Sequence, residues 1–211
     1  KAVTQIALDS SDDIEALKAS AYPSGGTVDE ALTANIASIG ENQTLRRAKK
    51  LTVENGVVYP YVHNAVVPGL GKIGVLVALE SAAPAEKLEA LGKQLAMHVA
   101  AANPLVVNPS DVPADVLAKE REIAEAKAAE SGKPANIVEK MVEGSVKKYL
   151  AEVSLVEQAF VKDPDTKVGQ LLAKSGAKVT RFVRLEVGEG IEKKEVDFAA
   201  EVAEAAAAAA K

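Results

Sequence analysis

The sequence predicts an α+β fold: antiparallel meander sheets packed by helices, with a protruding antiparallel helical hairpin of coiled-coil type and a C-terminal helical module. Three observations carry this reading. Apolar residues recur at helical spacing over residues 2–40, 84–102 and 113–153. Between the first two of these blocks the period shortens to that of strands, with the turn formers Asn55-Gly56 inside it. Two long helical patterns then meet at Ser131-Gly-Lys-Pro134, which puts a Gly just past one helix and a Pro in the first turn of the next.

The elements follow in order. Ala2 to Leu8 and Asp12 to Ser20 read as short helices, and Pro23-Ser-Gly-Gly26 breaks the chain. Thr27-Val-Asp-Glu30 has capping-box spacing and opens a helix whose Leu32, Ile36 and Ile39 share one face. Gly40 can end it. Thr44 to Val53 reads as a strand, Asn55-Gly56 as its hairpin turn, and Val57 to His63 as the returning strand, with Pro60 marking an edge or a bulge. A loop around Pro68, Gly69, Gly71 and Gly74 leads into a strand from Ile73 to Glu80. These strands form the meander, which needs helices to bury its apolar face.

Pro84 to Ala102 reads as an amphipathic helix carrying Leu88, Leu91, Leu95 and Val99, ended by Asn103-Pro104. Leu105 to Val112 is an irregular connection. The hairpin helices run from about Pro113 to Ser131 and from Pro134 to Val153. The second has a stripe through Ile137, Met141, Val142, Val146, Tyr149, Leu150 and Val153. Ala159 to Val161 is extended, and Asp163-Pro164 supplies an N-cap and first-turn Pro for a helix to Ser175, ended by Gly176. From Lys178 to Val187, Val179, Val183, Leu185 and Val187 alternate with Thr180, Arg184 and Glu186 as in a strand. Gly188-Glu-Gly190 turns the chain into a last helical segment holding Val196, Phe198 and Val202, followed by an Ala-rich tail.

Composition narrows the function classes. The 211 residues carry a net charge of −5, against the basic surplus of a general nucleic-acid binder. There is no Cys, hence no disulfide framework, thiolate nucleophile or thiolate zinc site. No apolar run approaches the roughly 20 residues of a membrane-spanning helix. Neither a nucleic acid nor a membrane is expected as a partner, and the cytoplasm is the expected location. The chain starts at Lys1 inside a helical pattern, and a natural N-terminal portion is expected to precede it.

Gly69, Gly71 and Gly74 in GLGKIG have the spacing of a dinucleotide loop. In such a loop the glycines follow a strand and open a helix, so that backbone N–H groups meet the pyrophosphate. Here they precede the β-branched run Val75 to Glu80, and a nucleotide-binding enzyme is the disfavoured alternative. His98 lies within a helix and reads as a packed residue. His63 ends a strand beside a loop, free to meet a partner. Asp163-Pro-Asp165 lacks the Gly and Glu of a calcium loop. Arg46, Arg47, Lys49 and Lys50 read as a solvated strand face. Neither catalytic residues, a metal site nor a cofactor is expected.

Several segments in one order resemble the bacterial elongation factor Ts family. They include Ile39-Gly-Glu-Asn42 with Arg46-Arg47, Tyr61-Val-His63 with Lys72-Ile-Gly-Val-Leu-Val77, and Leu95-Ala-Met-His-Val-Ala-Ala101. Ile137 to Gly144, Glu152-Val-Ser-Leu155, Thr166 to Leu172, Arg184 to Glu192 and Asp197-Phe-Ala-Ala200 continue the match. The resemblance implies a nucleotide exchange factor that grips elongation factor Tu, GDP-bound or nucleotide-free, and lets GDP leave. It acts through protein contact, without a cofactor and without enzymatic catalysis. It carries over Ile39 and His63 as partner contacts, with Gly40, Glu41, Asn42, Arg46 and Arg47 by proximity and Val196, Phe198 and Val202 in the C-terminal module. Self-association through the hairpin is a further expectation.

The implied division is a helical remainder of an N-terminal subdomain over 1–42, a C-terminal α+β subdomain over 43–112 and 154–190, the hairpin over 113–153 and the module over 191–211. The family's Thr-Asp-Phe-Val exchange motif does not occur in these residues, and Val196-Asp-Phe198 matches a separate C-terminal segment. The chain is therefore expected to be the later part of the factor, without its small N-terminal helical domain. A binding fragment with poor exchange is the alternative.

Overall fold

A computed structural model describes residues 1–191. The expected C-terminal helix, with Val196, Phe198 and Val202, lies outside the described residues. Helices and antiparallel strands are mixed, as an α+β chain requires. Helices α1 (Ala2–Asp9), α2 (Ile14–Ala19) and α3 (Val28–Ile39) come first. The Asp13 carboxylate caps α2 by accepting from the Ala16 N–H. Thr27 and Glu30 complete the capping box of α3, and Gly40 closes that helix at φ +79°.

The central sheet has three strands in the order β1 (Gly56–Val67), β2 (Leu70–Glu80), β5 (Lys178–Glu186), all antiparallel. Two strand expectations are corrected. Residues 40–53 form no regular element, and the third strand of the sheet is β5. Asn55-Gly56 therefore leads into β1, whose first residue is Gly56, and does not turn a hairpin. The hairpin turn is at Pro68-Gly69, with Val67 paired to Leu70. Gly71 and Gly74 lie inside β2, and His63 is an interior residue of β1 instead of its end.

Helix α4 (Ala85–Ala102) covers one sheet face. Its Leu91, Leu95, Ala96 and Val99 pack against Ile73, Val75, Val77 and Leu79 of β2. Each Val, Leu or Ile side chain among them, fully buried, contributes roughly 1.5–3 kcal/mol. A register shift between Ala78 and Leu79 splits the alternation expected for β5. Val179 and Phe182 reach the α4 core, while Val183 and Leu185 line the other face. That second face borders an apolar groove of about 710 Å³, lined by Leu8, Leu45, Leu51, Val62, Leu76 and Leu185 among others.

After a short 3₁₀ turn at Pro109–Asp111, α5 (Ala114–Ala129) and α6 (Ala135–Val153) pack on each other through Ala124, Ala128, Val142 and Val146. Ile137, expected in that stripe, is exposed. The pair has its own small core, separate from the sheet core. The stretch from Asp163 is another correction. It forms β4 (Asp163–Lys167), paired with β3 (Ala159–Phe160), and the helix α7 (Val168–Lys174) starts four residues later than expected. The Asp163 carboxylate accepts from the Thr166 hydroxyl at 2.7 Å, and Val168 is buried in the main core, so the turn forms where packing begins.

Candidate protein-docking surface

Ile39 is the last residue of α3 and stands 57% exposed. Gly40, Glu41 and Asn42 follow it, all exposed and without regular structure. His63 lies on β1 opposite Ile73 of β2, on the sheet face that carries Tyr59 and Tyr61. Its ring is exposed, and the Tyr61 hydroxyl lies 3.1 Å from Nδ1. A phenol O–H donating there orients the ring without hiding it.

Arg46 and Arg47 are placed differently from the solvated strand face expected of them. Arg46 Nη1 donates to the Glu189 carbonyl at 2.9 Å. Arg47 Nη1 donates to Glu189 Oε2 at 2.8 Å, and its Nη2 to the Glu186 carbonyl at 3.0 Å. Nearby, Lys50 donates its backbone N–H to Asp12 Oδ2 at 3.0 Å, and that bond, ahead of the Lys49 charge, lowers the Asp12 pKa. Arg184 donates to Glu186 Oε2 at 2.8 Å, and Lys72 Nζ is 3.1 Å from Glu186 Oε1. Arg184 first and Lys72 second hold the Glu186 carboxyl below its ordinary pKa. Nothing in the sequence signals this grouping, because Glu186 and Glu189 sit more than 100 positions away from Arg46 and Arg47.

His98 is fully buried, as the packed reading expects. The Val161 backbone N–H, which can only donate, lies 3.2 Å from Nδ1. The proton is therefore on Nε2, which donates to Gln158 Oε1 at 2.8 Å. Gln158 in turn donates to the Glu152 carbonyl in the last turn of α6 at 2.7 Å. Burial lowers the His98 pKa, opposed by the Gln158 bond. This is a structural link between α4 and the base of α6.

A family model described as Elongation factor TS matches residues 1–189. The chain belongs to the elongation factor Ts family. It is 60% identical to the elongation factor Ts of Sphingopyxis alaskensis over 97% of this chain and 68% of that protein. The Zymomonas mobilis protein of the same name is 57% identical over 98% of this chain and 69% of its own length. The Rhizorhabdus wittichii one is 56% identical over 97% and 69%. In this chain GLGKIG is a hairpin turn and the start of a strand, not the opening of a helix. Among the described residues no helix is long and apolar enough to cross a membrane.

Proposed function

We propose that this chain binds elongation factor Tu and promotes release of its GDP during protein synthesis, in the cytoplasm. The family match over residues 1–189 carries the reading. A partner that binds nucleotide-free elongation factor Tu better than the GDP form must weaken GDP by the same factor. Contact alone supplies that coupling, with no covalent step. The docking surface is taken to include Ile39 to Asn42 and His63, whose exposure suits them to it, with Val196, Phe198 and Val202 as further contacts. The division into helical remainder, α+β subdomain, hairpin and C-terminal module belongs to the same proposal, as does self-association through α5 and α6.

A second reading is favoured by one sequence fact. Thr-Asp-Phe-Val is absent from these residues, so the chain can bind elongation factor Tu and yet release GDP poorly. Release of labelled GDP from elongation factor Tu, with and without this chain, separates the two. A large acceleration supports exchange; complex formation without acceleration supports binding alone. Absence of any complex overturns both.

A further inference from the structure

We propose that Arg46 and Arg47 are positioning residues, which clasp the segment following Ile39 onto the Glu186–Gly190 turn and so set where Ile39 to Asn42 meets the partner. The inference rests on the docking surface proposed above. It removes the two arginines from the contacts and assigns them another task.

Residues 40–53 have no helix or strand of their own to hold them. A segment of this kind is ordered only by what its side chains and isolated backbone groups reach. Arg46 reaches the carbonyls of Glu189 and, at 3.5 Å, Gly190. Arg47 places one arm of its fork on the Glu189 carboxylate and the other on the Glu186 carbonyl. One N–H of each Arg47 terminal nitrogen is thus spent inside the chain, which fixes the plane and direction of its guanidinium.

The turn that receives the arginines is itself fixed. Arg184, whose side chain is only 10% exposed, donates to Glu186 Oε2 and, at 3.3 Å, to the Ala100 carbonyl of α4. Its Nη1 lies 3.6 Å from Glu189 Oε1. The Val187 N–H donates to the Lys72 carbonyl at 2.9 Å. An isolated surface ion pair contributes little, but here a mostly buried arginine anchors a network that includes bonds to backbone carbonyls. Downstream, Lys50 ties the same segment to Asp12, between α1 and α2. The clasp thus joins the end of α3 to the sheet through a route that leaves Ile39 exposed.

A double-mutant cycle on the full chain tests this, using Arg47→Ala, Glu189→Ala and the pair, with affinity for GDP-bound elongation factor Tu measured by calorimetry. Hydrogen exchange over residues 40–50 and the unfolding midpoint are read on the same samples. Each single change is expected to weaken binding by about tenfold, and the pair by no more than the worse single. Exchange over 40–50 should rise in all three, with the midpoint little changed. Full affinity for Glu189→Ala with weak binding for Arg47→Ala identifies a direct contact and overturns the inference. So do additive losses, or unaltered affinity throughout. Failure of the unchanged chain to bind overturns the docking reading itself.

Discussion

Gly92 of α4 lies directly against Tyr59 of β1: a Cβ at position 92 would stand 2.8 Å from both Cβ and Cγ of the tyrosine. Real side-chain atoms do not approach so closely, and the tyrosine atoms concerned are next to its backbone. Gly92→Ala gains about 1 kcal/mol of helix propensity. It should nevertheless lower stability by about 1–3 kcal/mol through overpacking. Urea unfolding of both proteins checks this; an equal or higher midpoint would mean that α4 moves aside freely.

The three glycines of GLGKIG should behave unlike one another. Gly69 sits in the turn at φ +80°, where a side chain is strained. A Cβ at Gly71 would lie 2.7 Å from the His63 carbonyl oxygen, whereas one at Gly74 meets nothing within 4 Å. Gly71→Ala is expected to destabilise by about 1–3 kcal/mol, and Gly74→Ala to be neutral or slightly stabilising. Calorimetric titration with NAD should be flat for the unchanged chain. A saturable isotherm would revive the nucleotide loop.

Stability should fall as the medium is acidified through the ordinary histidine pKa of 6.5, because His98 resists protonation when folded. The unfolded chain takes up a proton near pH 6.5 and the folded chain only at lower pH. The stabilisation is therefore complete above 6.5, declines between that value and the lowered folded pKa, and levels off below it. His98→Gln keeps a donor toward Gln158 and removes this titration. Urea midpoints between pH 5 and 8 should be lower for the variant at pH 8 but with a shallower fall below 6.5. Parallel curves would show that another group is responsible.

His63→Ala should separate docking from folding. The ring is exposed, and its polar contact is the Tyr61 hydroxyl. Its loss is expected to shift the unfolding midpoint little, with a stability change within about 0.5 kcal/mol, while weakening the complex with elongation factor Tu. Unchanged affinity would take His63 off the docking surface.

Helices and caps were legible wherever the local signal was also the deciding one. Thr27 and Glu30 satisfy each other within one turn, and Leu91, Leu95 and Val99 face the sheet as their spacing requires. Asn55-Gly56 misled because a turn signal needs a strand on each side, and 44–53 pairs with nothing regular. The true neighbour of β2 comes from about 100 residues further on, and no local pattern announces such a pairing. Asp163-Pro164 has the residues of a helix start, yet pairing with Phe160 holds Asp163 in a strand. Within the docking surface, the exposure of Ile39 and His63 suits the family expectation. The employment of Arg46 and Arg47 was invisible, since charge patterning shows that a residue is ionised but not which carbonyl it reaches.

Pro60 sits opposite Leu76 in the twelve-residue strand β1, which forms one outer edge of the sheet among the described residues. A long edge strand is a template on which other chains can add in register and aggregate. With no N–H to give and a ring in the way, Pro60 interrupts that template near its middle. A foreign strand could pair on either side of it but not along the whole length. Pro60 is thus a break in the edge of β1 that works against strand addition along its whole length.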